Sequence, residues 1–399
     1  MKILIVNKFL YPKGGSETYA FKLGKFLESA GHQVQYFGME HKDRCVGNNA
    51  EQYTDNMDFH TANTVSKIKY SLKTIYSIEA RKKIKIVLEN FKPDIVHLNN
   101  INFQLTPSII YEIKAHGIPI VQTVHDVQIA CPNHRMYNEQ KEEICSECFD
   151  GKYMNCIKNK CLQASLLKSS IAAFESYYYH KKDTYNLVDK YICPSQFMAD
   201  VITKAGVEKN KIQVLHNFCD EQTNLSPKDK SKKYVLYFGR LSIEKGIKSL
   251  VEVCKRLKDI HFIFAGTGPL TDLCKGADNI ELVGFKSGEE LNTLIRNAMF
   301  SLNPSECNEN CPMTILESMS LGTPVICSDL GGSPELIDDD ITGKIFKAYD
   351  KDDLEEKIQY LYNNSKLLAD MEQNCIAASK EYTINKYCDT VLKIYRDLI

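Results

Sequence analysis

Short runs of β-branched and aromatic residues alternate with longer segments of helical apolar spacing along the whole chain. This alternation limits the fold more than any other feature. Residues 2–6, 33–37, 95–98, 118–123, 191–193 and 212–215 read as strands, with a helical stripe over 16–30 between the first two. Strands separated by helices pair in parallel through crossover connections. Residues 220–233, DEQTNLSPKDKSKK, are polar and aperiodic and read as a linker. A second series follows, with strands at 234–239, 261–265, 280–283, 300–303 and 324–327 and helices at 244–258 and 287–298. The expected class is α/β, with two doubly wound halves at 1–219 and 234–380. Residues 381–399 are expected to form a C-terminal helix packing back on the first half. Ligands in such sheets bind beyond the carboxyl ends of the strands, so the halves are expected to face one another across a cleft.

Composition narrows the function classes. A length of 399 residues suits two domains with cores of their own, and a formal charge of -1 provides no global attraction to nucleic acid. No apolar run approaches the ~18 residues that span a bilayer, and the opening apolar run stops at Asn7-Lys8, too early for a signal-peptide core. The expected location is the cytosol, and the odd count of fifteen cysteines then reads mostly as reduced thiols.

The densest chemistry lies in 303–326, NPSECNENCPMTILESMSLGTPVI. A strand ends at Asn303, a polar loop follows, and Pro312 reads as a first-turn proline opening a helix to about Leu321. That opening, from Asn310 through Cys311, Pro312 and Met313 to Thr314, offers unpaired N–H groups and a positive dipole end to a phosphate. Glu309 precedes the helix and Glu317 lies inside it, both able to accept hydrogen bonds from sugar hydroxyls. Upstream, Tyr237-Phe238-Gly239-Arg240 ends a strand and Glu244-Lys245-Gly246 opens the next helix, so one loop carries two cations suited to a diphosphate.

The two glutamates with seven residues between them, followed by Gly322-Thr323-Pro324-Val325-Ile326, resemble the signature of the retaining family 4 glycosyltransferases of GT-B fold. The likeness covers nearly the whole chain. It implies that Glu309 contacts the donor sugar, that Glu317 holds the ribose hydroxyls, and that Arg240 and Lys245 clamp the pyrophosphate. By the same likeness the Ala265-Gly266-Thr267-Gly268-Pro269 loop and the backbone around Phe285 line the base and ribose pocket. Gly331-Gly332-Ser333-Pro334-Glu335 matches a further family loop beside the diphosphate, and His125, in Thr123-Val124-His125-Asp126, is placed against the donor sugar.

Gly14-Gly15-Ser16-Glu17, between the first strand and its helix, reads as a glycine-rich anion cradle or as a plain helix cap. It lacks the third glycine of a dinucleotide fingerprint. The implied activity is transfer, with retention, from a UDP- or GDP-type sugar to a glycan or lipid-linked acceptor in surface-polysaccharide or glycolipid assembly. No nucleic-acid partner is implied. A sugar-nucleotide epimerase and a catalytically silent binding protein are the competing readings, and the Arg240, Lys245, Glu309 and Glu317 set argues against both. Asp338-Asp339-Asp340 reads as a solvated turn, so no catalytic metal is expected.

Two further features stand outside that scheme. Cys145, Cys148, Cys156 and Cys161 fall within 17 residues of an insertion spanning 131–161, with Cys131 and His134 as alternative ligands. Such spacing suits either a structural tetrahedral zinc or ordinary reduced thiols. Residues 64–91 carry Val65, Ile68, Leu72 and Ile75, then Ile84, Val87, Leu88 and Phe91, interleaved with lysines. They read as basic amphipathic helices, either resting on an anionic inner leaflet or packing ordinarily on the core.

Overall fold

A computed structural model describes residues 1–56, 73–221, 227–229, 231 and 233–399. The chain forms two compact units. The first holds Met1–Gln140, Cys145–Leu215 and Cys388–Ile399, and the second holds Lys141–Ile144 and His216–Tyr387.

In the first unit β1 (Lys2–Val6), β2 (Gln33–Phe37), β3 (Ile95–Leu98), β4 (Ile120–Thr123), β5 (Lys190–Cys193) and β6 (Ile212–Val214) form one sheet in the order β2-β1-β3-β4-β5-β6. Every pair is parallel, as crossover helices require. Ile3, Leu4, Ile5 and Val6 are all fully buried, because both faces of a central parallel strand are covered. Helices α1 (Gly15–Ser29), α2 (Ile78–Phe91) and α3 (Ser108–Ala115) follow β1, β2 and β3. After β4 come the short α4 (Met154–Lys158) and the longer α5 (Leu166–Lys181), and α6 (Gln196–Lys204) follows β5.

Helix α2 begins where the Ser77 side chain accepts from the Ala80 N–H, and it ends at Lys92 in the left-handed region. Ile84, Val87, Leu88 and Phe91 turn inward at helical spacing. Its cations pair locally: Arg81 with Glu112 at 2.8 Å and Lys83 with Glu79 at 2.9 Å. The described part of the basic segment thus packs one face on the core and has acidic partners for Arg81, Lys83 and Lys85, while Ile78 and Ile86 remain exposed. Val65, Ile68 and Leu72 lie outside the described residues.

The second unit repeats the plan with β7 (Val235–Phe238), β8 (Phe262–Ala265), β9 (Ile280–Gly284), β10 (Ser301–Asn303), β11 (Val325–Ser328) and β12 (Gly343–Phe346). Their parallel order is β9-β8-β7-β10-β11-β12. The chain grows outward in one direction from β7 and in the other from β10, so the crevice between these two strands is the switch point. Helices α7 (Ile247–Arg256), α8 (Gly288–Asn297), α9 (Met313–Ser320), α10 (Lys351–Asn363) and α11 (Ser365–Ser379) belong to this unit.

Strand β12 is absent from the sequence reading because its run, Gly-Lys-Ile-Phe, is short and interrupted by a charge. Lys344 is nonetheless buried and pairs with Asp340 at 2.6 Å. That pairing gives the Asp338–Asp340 turn a cationic partner. The last helix, α12 (Ile384–Leu398), runs into the first unit from Cys388 onward. There the Tyr395 hydroxyl meets His97 Nδ1 at 2.5 Å, and His97 Nε2 meets Thr123 Oγ1 at 2.8 Å.

Gly246 sits at φ +71°, and a Cβ there would lie 1.9 Å from the Pro304 carbonyl oxygen. Glycine is thus what lets the β7 and β10 loops close on one another. Gly246→Ala should lower stability by about 1–3 kcal/mol or more, read as a lower urea midpoint. A wild-type midpoint would show that the loop contact is slack.

Candidate active site

Two loops meet at the switch point of the second unit. The loop after β7 passes through Gly239 and Arg240 into a single 3-10 turn, Ile243–Lys245, and the loop after β10 runs from Pro304 to Glu309. The Glu306 N–H donates to the Glu244 carbonyl at 2.9 Å, which holds the two backbones in register. Across them the Lys245 ammonium pairs with the Glu309 carboxylate, which also accepts from Ser305 Oγ at 2.7 Å. Burial alone would raise the Glu309 pKa. The Lys245 charge and its hydrogen bonds outweigh that and hold the carboxyl below its ordinary range. Burial likewise pulls the Lys245 ammonium down, and Glu309 more than reverses it. Both groups are therefore charged at neutral pH.

Glu309 is gripped from behind as well. The Gly332 N–H donates to the Glu309 carbonyl at 2.7 Å, and a Cβ on Gly331 would come within 2.3 Å of that oxygen. Arg240 is exposed, its carbonyl accepting from the Tyr237 hydroxyl at 2.7 Å. The second unit thus brings Arg240, Lys245 and Glu309 to the carboxyl end of its sheet.

Helix α9 starts one residue later than the sequence suggests: Pro312 is its N-cap, with φ -67° and ψ 118°, and no side chain caps it. The Ile315 N–H already donates to the Pro312 carbonyl at 3.1 Å, so an external acceptor at this opening would meet the Met313 and Thr314 N–H groups. Asn303 Nδ2 donates to Thr314 Oγ1 at 3.0 Å and ties the helix opening to the end of β10. Cys311 is buried, with its thiol pushed up to about 12 by burial, so this position offers only its backbone to a ligand. Glu317 is half-buried on α9. After β8 a Cβ on Gly266 would fall 1.9 Å from the Gly239 carbonyl oxygen, so the β7 and β8 loops touch through backbone. Gly268 follows in the same loop. Phe285, just past β9, leaves 74% of its side chain exposed, an open aromatic face.

In the first unit Gly14 and Gly15 open α1, and its first turn already holds a carboxylate. Glu17 is buried, accepting from Asn7 Nδ2 at 3.1 Å and Ser16 Oγ at 3.0 Å. His125 follows β4, with Nε2 at 2.9 Å from Asn99 Oδ1 and the Tyr19 ring edge-on at 4.9 Å. With the Asn99 amide oxygen turned toward the ring, Nε2 is the nitrogen that donates, and the buried Asn99 Nδ2 has no partner among the described residues. Burial pulls the imidazole down to about 4, against the opposing charge of Asp126, so His125 is neutral at pH 7. Asn99 was not singled out from the sequence. Its signal was there, since Asn99-Asn100 directly follows a strand at its ligand-binding end.

Cys145, Cys148, Cys156 and Cys161 gather around one small cavity in the first unit, where Cys131 joins them beside Met136 and Phe149. Burial pushes the Cys148 thiol up to about 12. Among the described residues no three His, Cys, Asp or Glu side chains form a ready-made metal shell.

A cation–carboxylate pair beside a helix N-terminus at a Rossmann switch point offers opposite charges and backbone donors to a ligand. The model for "Glycosyltransferase Family 4" matches residues 13–223, and that for "Glycosyl transferases group 1" matches 220–378. The chain belongs to glycosyltransferase family 4 and has the GT-B fold. It is 24% identical over 357 residues to an uncharacterized glycosyltransferase of Methanocaldococcus jannaschii, covering 87% of this chain and 95% of that one. It is 24% identical over 354 residues to an uncharacterized 42.6 kDa protein of the cps region of Klebsiella pneumoniae, covering 84% and 87%. Among solved structures it superposes on Anabaena HepE in complex with UDP at a TM-score of 0.71, with 17% identity and full coverage of both chains.

The ion pair sets a pH dependence. Because the folded Glu309 pKa is depressed, its stabilisation is complete above the unfolded value of about 4.3 and is lost as pH falls through the folded value. Wild type should therefore exceed Glu309→Gln by roughly 1–2 kcal/mol at pH 7 and converge with it in acid. Urea unfolding across that range reads the difference, and a gap independent of pH would assign the stabilisation to something other than the charge.

Proposed function

We propose that the protein is a retaining, metal-independent glycosyltransferase. In this reading it transfers a sugar from a nucleotide diphosphate donor to a glycan or lipid-linked acceptor in surface-polysaccharide or glycolipid assembly. The observation that carries the reading is the Lys245–Glu309 pair at the switch point. Departure of the diphosphate builds negative charge on phosphate and positive charge at the anomeric carbon. In our scheme Lys245 turns from Glu309 to the diphosphate and joins Arg240 and the α9 N-terminus in stabilising the leaving group. Glu309, released from that pairing, accepts from donor-sugar hydroxyls, Glu317 binds the ribose, and Phe285 and the Gly266–Gly268 loop flank the base. To His125, neutral at pH 7, the scheme assigns a contact with the donor sugar on the strength of the family resemblance alone. Those cations provide the charge that a divalent ion would otherwise supply.

The UDP and UDP-glucose complexes of HepE support a uridine donor. The polysaccharide role draws support from the cps-region relative. The test is release of nucleoside diphosphate from UDP-glucose by the purified chain in excess chelator. Arg240→Ala and Glu309→Gln should each lower turnover about 10²-fold or more, while Glu317→Ala chiefly weakens binding of free UDP. Wild-type rates in both turnover variants would overturn the assignment, as would activity that requires added magnesium. Inversion at the anomeric carbon of the product would refute retention.

We also infer that four of the five clustered thiols close around a structural zinc, coupling metal binding to the ordering of 131–161. Protein purified without added metal should contain about one zinc per chain by elemental analysis, and Cys148→Ser should lose it while still binding UDP. Metal-free protein with full UDP turnover would leave the thiols as ordinary core cysteines.

A further inference from the structure

Helix α5 is amphipathic in the reverse of the usual sense. Its buried side consists of Ser169, Ala172, Ala173, Glu175, Ser176 and Tyr179, mostly small or polar. Its exposed side carries Leu166 at 57% exposure, Leu167 at 70%, Phe174 at 55% and Tyr177 at 51%. At ~100° per residue these four fall within an arc of about 100°, opposite the buried set. A helix that turns its large apolar groups to water and its serines inward has kept that face for something outside the unit.

Charge decides what that something is. Between Lys152 and Lys182 the chain carries six lysines, at 152, 158, 160, 168, 181 and 182, all exposed. The one acid in that span, Glu175, is buried, and burial pushes its carboxyl up to about 8, so it adds little negative charge at neutral pH. Lys181 lies 5.7 Å from the Tyr177 ring centroid, at the border of the apolar arc. The adjoining α4 packs on α5 and exposes Met154 at 72%. Exposed Asp150, which pairs with Lys152 at 3.5 Å, and exposed Asp183 border this patch and leave it net positive, so a second copy of the chain would bring like net charge against like. An anionic lipid surface instead takes the apolar arc into its interface while its headgroups meet the lysines.

We propose that the outward face of α5, flanked by these lysines, docks the protein on an anionic phospholipid bilayer. This deepens the lipid-linked acceptor of the proposed function and rests on it for its purpose. The contact needs no membrane-spanning segment, and among the described residues no helix is long and apolar enough to cross a membrane.

The test is co-sedimentation of the full chain with vesicles of phosphatidylcholine alone or of phosphatidylcholine mixed with phosphatidylglycerol. Binding should be at least tenfold stronger to the anionic vesicles and should weaken with salt. Lys168→Glu combined with Lys182→Glu should reduce it about tenfold or more, as should Leu167→Asp combined with Phe174→Ser. These positions are exposed, so unchanged thermal midpoints are expected, and single Phe174→Ser replaces the double variant if that one unfolds. Nucleotide release from UDP-glucose should stay at the wild-type level in every variant, which separates failure of the docking surface from failure of the enzymatic reading. Equal affinity for both vesicle types, or variants that bind like wild type, would overturn the proposal. So would a wild-type dimer in light scattering that Leu167→Asp dissociates, because the apolar face would then be a self-interface.

Discussion

A carboxylate largely withdrawn from water must find a counter-charge, and in the second unit Glu309 finds it in Lys245, 64 residues earlier in the chain. The geometry of the donor-side loops follows from keeping that pair together. Strand order places β7 beside β10, so their carboxyl-end loops are neighbours. Gly246 then removes the side-chain atoms that would hold those two backbones apart, and Gly331 does the same where the loop after β11 meets Glu309. In the function proposed above, this is the pair that an incoming diphosphate would divide, taking Lys245 and leaving Glu309 to accept from the sugar.

The first unit reaches comparable order by neutral hydrogen bonding. His97 is fully buried, and burial pulls its imidazole down to about 3, so it bridges Thr123 and Tyr395 uncharged. Thr123 in turn meets the Tyr19 hydroxyl at 2.9 Å, and the Tyr19 ring lies against His125. The floor of the His125 site therefore includes a residue from the last helix. The insertion after β4 sits differently. Seven non-glycine residues between His134 and Ala164 hold positive φ, as expected where a short segment is pinned by a few contacts and lacks a broad core of its own.

The strands and the loop motifs were legible because both are local. Period and β-branching mark β1 to β11 within a residue or two, and the cation and carboxylate loops announce themselves by composition alone. Strand β12 escaped because Gly343 and Lys344 break its pattern, and its strand conformation is set by pairing with β11. Glu309 and Lys245 were found as separate residues. Nothing in the sequence short of the strand order says that they touch.

Residue types and their periodicity determined by themselves that this chain is a double α/β protein, with cations, carboxylates and glycines concentrated in its strand-to-helix loops. Only the tertiary structure decided which of those groups are partners. It paired Lys245 with Glu309, set Asn99 against His125, gathered Cys131 with the other four thiols, and turned the apolar side of α5 outward. The physical reason is range. Backbone preference and hydrophobic spacing act over a few residues, whereas charge pairing, tautomer choice and the orientation of a helix face depend on groups brought close by contacts far apart in sequence.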